Sequence, residues 1–198
     1  MSGALELRIG GIDVVEIRRL NEYSEADQIA LGGYGYSSME RYIVTKEENA
    51  KSVTIRTNLV ELEAPYNKVW PVRQEDFDYY DEIVSQGLSF GAYIEEKLVG
   101  VAICNRSDWN NTLWVTNFHV SERHRRLGIG SKLMGKVFVQ AQEMGFRIIE
   151  LETQNTNVPA ISFYYSLGFE LDGIDLSFYT NNSAADEEVA FFMKRRVI

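Results

Sequence analysis

The chain has 198 residues, 45% of them hydrophobic, with three prolines, one cysteine and a formal net charge of −9 from 29 acidic and 20 basic residues. That length and composition describe one packed domain, or one domain with a sizeable extension, rather than a linker-rich or disordered chain. A single cysteine, Cys104, excludes an intrachain disulfide, and the only two histidines, His119 and His124, offer no metal-ligand spacing.

Glu6, Arg8 and Asp13 interrupt the apolar residues of the N-terminus, so no signal peptide is read there. The apolar runs are far too short for a membrane span. A cytoplasmic protein with no membrane partner is expected. The acidic surface repels nucleic acid at long range and suits a cationic substrate, although it equally serves solubility alone.

In chain order, Leu5–Ile9 and Ile12–Ile17 alternate apolar and charged residues weakly, and Gly32–Tyr36 reads as loop. Arg41–Thr45 and Ser52–Leu62 read as strands, the second rich in β-branched residues. Over Arg73–Gln86 the apolar residues Phe77, Tyr80, Ile83 and Val84 recur at helical steps beside an acidic face of Glu75, Asp76, Asp78, Asp81 and Glu82. That face would steer a polycation, or is simply solvated. Phe90–Ile94 and Leu98–Cys104 form a hairpin through Glu95-Glu96-Lys97, with Cys104 buried; a third strand, Thr112–Val120, follows a polar loop.

A helix starting near Gly128 carries the clearest stripe in the chain: Ile129, Leu133, Met134, Val137, Phe138, Ala141 and Met144, closed by Gly145. Arg147–Glu152 is a strand. Asn157–Ser166 is a short helix with Pro159 in its first turn, and Gly168 follows it. Phe169–Leu171 and Val189–Lys194 complete the sheet. The fold class is α/β (α+β), a mixed sheet with helices on both faces.

Two constellations carry chemistry. In Arg125-Arg126-Leu127-Gly128-Ile129-Gly130-Ser131, two glycines let backbone approach an anion, a helix start aims unpaired N–H groups at the same spot, and two arginines add forked donors. The spacing is neither the three-glycine dinucleotide fingerprint nor a P-loop; alone, it also suits a tight turn with solvated arginines. In the second, Asn157, Ala160 and Tyr164 fall on one helical face, where Asn157 and Tyr164 would both touch one ligand. Tyr164 is equally suited to packing.

Together these blocks resemble the GNAT superfamily of acetyl-CoA-dependent N-acetyltransferases. Residues 125–130 look like its pyrophosphate motif, and Asn157-x-x-Ala160-x-x-Phe163-Tyr164-x-x-x-Gly168-Phe169 looks like its second block. The resemblance covers about Ser89 to Lys194. It extends to streptothricin acetyltransferases in Glu63-Ala64-Pro65-Tyr66, in Leu151-Glu152-Thr153-Gln154 and in the tail from Asp175 to Phe192.

The resemblance implies a single acetyltransferase domain over 1–198, with a family-variable extension over 1–50 and a cofactor-binding core over 88–196. It implies a centrally splayed sheet in which backbone groups of Phe118, His119 and Val120 pair with the pantetheine arm of acetyl-CoA. The segment Arg125, Arg126, Leu127, Gly128, Ile129, Gly130 and Ser131 would hold the pyrophosphate, Asn157 would contact the arm, and Tyr164 would protonate the departing thiolate. No metal is implied. Where the family often has strand carboxylates this chain has Thr116 and Asn117, so Glu63, His119 or a water chain is left as the base. Glu63 and Tyr66, closing a strand on the acceptor side, would bind a cationic amine.

Three readings follow. The first is acetyl transfer, by direct attack, to a primary amine of a small cationic acceptor, streptothricin-like. The second is transfer to a protein or peptide amine, and the third a catalytically silent acyl-CoA-binding sensor. The partner is a small-molecule amine in the first reading; a homodimer is left open by the sequence.

Overall fold

The computed structural model of the chain describes residues 14–180 and 188–197, without the side chains of Gln74 and Glu75. The weak strand reading at Leu5–Ile9 lies outside these residues, as does 181–187 within the tail segment. The chain divides into two compact units, one holding the residues up to Gly33 with Val72–Phe146, the other Tyr34–Pro71 with residues from Arg147 onward.

In the first unit the strands are β1 (Glu16–Arg19), β4 (Phe90–Ile94), β5 (Lys97–Ser107) and β6 (Thr112–Val120), neighbours in that order and antiparallel throughout. Helix α1 (Glu25–Leu31) falls where the sequence reading places no element. Its start is a capping box: Ser24 Oγ accepts the Asp27 amide at 3.3 Å and Asp27 Oδ2 accepts the Ser24 amide at 2.9 Å. Helix α2 (Gln74–Ser85) matches the acidic helix read from sequence, with Phe77, Ile83 and Val84 buried. These three pack with Leu20, Tyr23, Leu31, Val101 and Ile103 in one cluster on one face of β5.

Strand alternation sends the next set of β5 side chains to the opposite face. There Leu133 of helix α3 (Ile129–Glu143) lies against Gly100, so this unit carries helices on both faces of its strands. The α3 stripe buries Ile129, Leu133, Met134, Val137 and Ala141 to 1% exposure or less. At roughly 2 kcal/mol per large buried side chain, that stripe fixes the helix start firmly. Met144 and Gly145 end the helix as read, Gly145 at φ +70.

In the second unit β7 (Ile148–Gln154), β9 (Ala190–Arg196) and β8 (Glu170–Asp175) run antiparallel with β9 in the middle. The remaining strands, β2 (Gly35–Asn49) and β3 (Ser52–Val69), form a two-stranded hairpin. Both are longer than the sequence suggested, and Gly35 and Tyr36 are strand rather than loop. Pairing slips between Ser38↔Tyr66 and Glu40↔Glu61, so Met39 faces a bulge of 62–65 that accommodates Pro65. The buried side chain of Asn155 ties the hairpin to β9: Nδ2 donates to the Tyr42 carbonyl at 2.7 Å and Oδ1 accepts the Val189 amide at 2.8 Å. Helix α4 (Val158–Ser166) packs on β2.

Candidate functional site

The first unit places Phe118, His119, Val120 and residues 125–131 along one continuous path, β6 into α3. β6 pairs with β5 through Ala102↔Phe118, Val101↔His119 and Gly100↔Val120. A 3₁₀ turn at Glu122–His124 follows, pinned by Ser121 Oγ and His124 Nδ1 at 2.6 Å. Arg125 Nε then donates to the Val120 carbonyl at 3.0 Å, and Arg126 takes a left-handed conformation at φ +63.

Gly128 is the N-cap of α3, at φ +77 and with no side-chain cap. The first helical bond runs from the Lys132 amide to the Gly128 carbonyl at 3.1 Å, so the Ile129, Gly130 and Ser131 amides are the open N–H groups of the helix start. No atom lies within 4 Å of where a Cβ on Gly128 would stand. Arg125, Arg126 and Leu127 are exposed while the Ile129 side chain is buried. An anchored helix start, an uncovered cradle and two cationic neighbours fit a diphosphate. On β6 the Thr116 hydroxyl is buried with no hydrogen-bond partner among the described residues, a polar atom left for a ligand.

His119 is buried, and burial first, then the Arg125 charge, lowers its pKa to about 4; a bond with the Leu31 backbone opposes the shift. The ring is neutral at pH 7 and a weak base. Asn117 Nδ2 donates to Tyr80 Oη at 3.1 Å, which makes it a packing group of α2.

The second unit holds Glu63, Tyr66, Asn157 and Tyr164. Tyr164, at 7% exposure, sits between the rings of Phe163 (5.4 Å) and Phe169 (5.7 Å). Burial, and then the charge of Glu152, push its pKa up. Asn157 departs from the expected helical face. It is the N-cap of α4, and its Oδ1 accepts the Ala160 amide at 3.3 Å. Glu63 and Tyr66 do not close β3, which continues to Val69: Glu63 is exposed on the bulge, whereas Tyr66 is half-buried against Glu188.

Two carboxylates that the sequence did not single out stand in this unit. Glu152, on β7, has a pKa raised by burial; Tyr179 Oη donates to it and lowers the pKa, while nearby Glu188 raises it. Tyr179 in turn accepts from Gln154 Nε2 at 2.7 Å. Glu188 accepts from Tyr66 Oη at 2.9 Å and pairs with Lys68 Nζ at 2.6 Å. Glu152 stands in the segment 151–154, an acidic residue among alternating buried ones. Glu188, in the tail segment, carries no local signal, because Tyr36, Tyr66 and Lys68 lie more than 100 residues away and Thr156 lies 32.

The acetyltransferase (GNAT) family model matches residues 56–169, more than half of the chain. A streptothricin acetyltransferase of Escherichia coli is 34% identical over 132 residues, 65% of this chain and 70% of the relative. An N-alpha-acetyltransferase 50 of Danio rerio is 31% identical over 67% of this chain and 80% of its own. The crystal structure of a nourseothricin acetyltransferase superimposes with a TM-score of 0.67 at 28% identity, covering 93% of this chain and 99% of that one. The chain belongs to the GNAT acetyltransferase family. It is therefore an N-acetyltransferase, with acetyl-CoA as its acyl donor. Among the described residues no helix is long and apolar enough to cross a membrane.

Proposed function

We propose that this enzyme transfers the acetyl group to a primary amine of a small cationic acceptor of the streptothricin type, by direct attack in a ternary complex. The observation that carries this reading is the Glu188 cluster in the second unit. There Tyr36, Tyr66 and Trp70 surround a carboxylate that holds an ammonium group, an environment built for alkyl cations. The similarity to an Escherichia coli streptothricin acetyltransferase and to nourseothricin acetyltransferase supports the same acceptor class.

Acetyl-CoA supplies a thioester carbonyl for the amine to attack. The amides of Ile129, Gly130 and Ser131, with Arg125 and Arg126, bind its pyrophosphate. Backbone groups of Phe118, His119 and Val120 align the arm, and an N–H near Phe118 steadies charge on the carbonyl oxygen. Asn157 orders the start of α4 and thereby places Tyr164.

Glu152 is the proton acceptor for the incoming amine, its basicity raised by burial. Tyr164 stays protonated across neutral pH because its own pKa is pushed up. The two steps are coupled through charge. When Glu152 takes the amine proton, the negative charge that strengthens Tyr164's hold on its proton disappears, so Tyr164 becomes the better acid as the thiolate departs.

The test is an acceptor screen that follows free thiol from acetyl-CoA, with streptothricin-type antibiotics, simple polyamines and short peptides. Turnover with the antibiotics or polyamines is expected. The likeness to N-alpha-acetyltransferase 50 supports a second reading, a peptide α-amine. Turnover with peptides alone would replace the first reading with the second.

A further inference from the structure

Lys68 occupies a cation site made by other residues. Its Nζ lies 2.6 Å from Glu188 Oε2 and 5.8 Å from the centre of the Trp70 ring. The opposite oxygen of Glu188 accepts from Tyr66 Oη at 2.9 Å, and Tyr36 Oη, bonded to Thr156 Oγ1 at 2.6 Å, is 3.4 Å from that same oxygen. Tyr36 stacks on Tyr66 at 6.2 Å and leans on Trp70 at 5.7 Å. A carboxylate held by two phenols and walled by three rings is the arrangement that binds an alkylammonium ion.

The site is partly open. Trp70 is 37% exposed and the Lys68 side chain 29%, against 14% for Glu188. The ammonium is therefore not sealed in. It hangs on a flexible four-carbon stem from an edge residue of the hairpin, and that stem has other rotamers in solvent.

We infer that Lys68 is a resident competitor in a recognition site for an ammonium group of the acceptor, and that a dication displaces it, so Lys68 sets the threshold of specificity for multiply charged acceptors. The inference rests on the proposed acceptor class. A monoamine has only its reacting nitrogen and nothing to offer Glu188. An acceptor with a second ammonium on an alkyl chain displaces Lys68 and gains the pair with Glu188. The intramolecular lysine thus reduces apparent affinity for every acceptor that uses the site to the fraction set by how often Lys68 leaves it vacant.

The experiment is calorimetric titration with 1,5-diaminopentane, in the absence of acetyl-CoA, of the wild type, K68M, K68R and E188Q. K68M should bind about five- to tenfold more tightly than the wild type, the factor expected for one partly buried ion pair. K68R should resemble the wild type, and E188Q should lose binding. Equal affinity of K68M and wild type, or unimpaired binding by E188Q, overturns the inference. If K68M does not fold, the ¹⁵Nζ signal of Lys68 in the wild type decides: it should move to the position of a free lysine as diamine is added, and a stationary signal overturns the inference. The acceptor screen reads acetyl transfer separately, so a working enzyme with a stationary Lys68 defeats this inference alone.

Discussion

Arg125 Nε donates to the carbonyl of Val120 at 3.0 Å, so the first arginine of the loop is fastened to the end of the strand before it. Arg126 differs: it is exposed and sits at φ +63, on the path between that strand and the helix. The two arginines should therefore fail in different ways. Arg125→Ala frees the loop and should weaken acetyl-CoA binding about tenfold at any ionic strength, because a positioning contact is lost. Arg126→Ala should weaken it only about threefold, and mainly at low salt, because screened charge is what it contributes. Titrations at two salt concentrations separate the cases; identical salt responses would refute the division.

Gly128 and Gly145 both adopt left-handed backbone, at φ +77 and +70, and neither has an atom within 4 Å of the missing Cβ. Alanine at either position should cost about 1 kcal/mol of stability from the backbone alone. Only Gly128→Ala places a methyl group over the open amides of α3, so only it should also lose acetyl-CoA affinity, by tenfold or more. Matched losses of affinity in the two variants would mean that Gly128 serves the turn and nothing else.

His119 gives an acid limb to stability. Its folded pKa of about 4 lies below the unfolded value of 6.5, so between those pH values the unfolded chain binds more protons. Stability from this residue is present above pH 6.5 and is lost as pH falls toward 4, in all roughly 3 kcal/mol. His119→Asn should flatten the dependence of urea-unfolding free energy on pH within that window, relative to the wild type. Parallel curves for the two proteins would exclude the assignment.

Glu152 and Tyr164 predict a pH profile. Glu152→Gln should abolish most turnover, and Tyr164→Phe should lower kcat by about a hundredfold with little change in KM for acetyl-CoA. The hydroxyl of Tyr179 lowers the pKa of Glu152 by donating to it. Tyr179→Phe should therefore raise that pKa and move the acidic limb of kcat to higher pH. An unmoved limb would place the base elsewhere. Tyr164, with its pKa pushed up, should add no alkaline limb below pH 10.

Helix α3, strand β6 and helix α2 were legible within a residue or so, because each buries one strongly periodic apolar face. The hairpin was legible only in its middle. Val53, Ile55 and Leu59 are exposed, so no buried face imposes alternation, and Pro65 reads as an ending although the bulge at 62–65 carries the strand past it. Helix α1 is seven residues long and announces itself only by Ser24 and Asp27 three apart. Within the candidate site, the loop of residues 125–131 is a local device, and its residues can be read in order. Glu188 gathers Tyr36, Tyr66, Lys68 and Thr156 from three distant stretches, and no local pattern encodes that meeting.

Cys104, on β5, has no exposed surface, and burial pushes its thiol pKa well up. A colorimetric disulfide reagent such as an aryl disulfide will therefore leave the folded protein untouched, since only a thiolate attacks it. Every sulfhydryl that develops colour in a native reaction mixture then comes from spent coenzyme, which gives the assay a blank set by the protein itself.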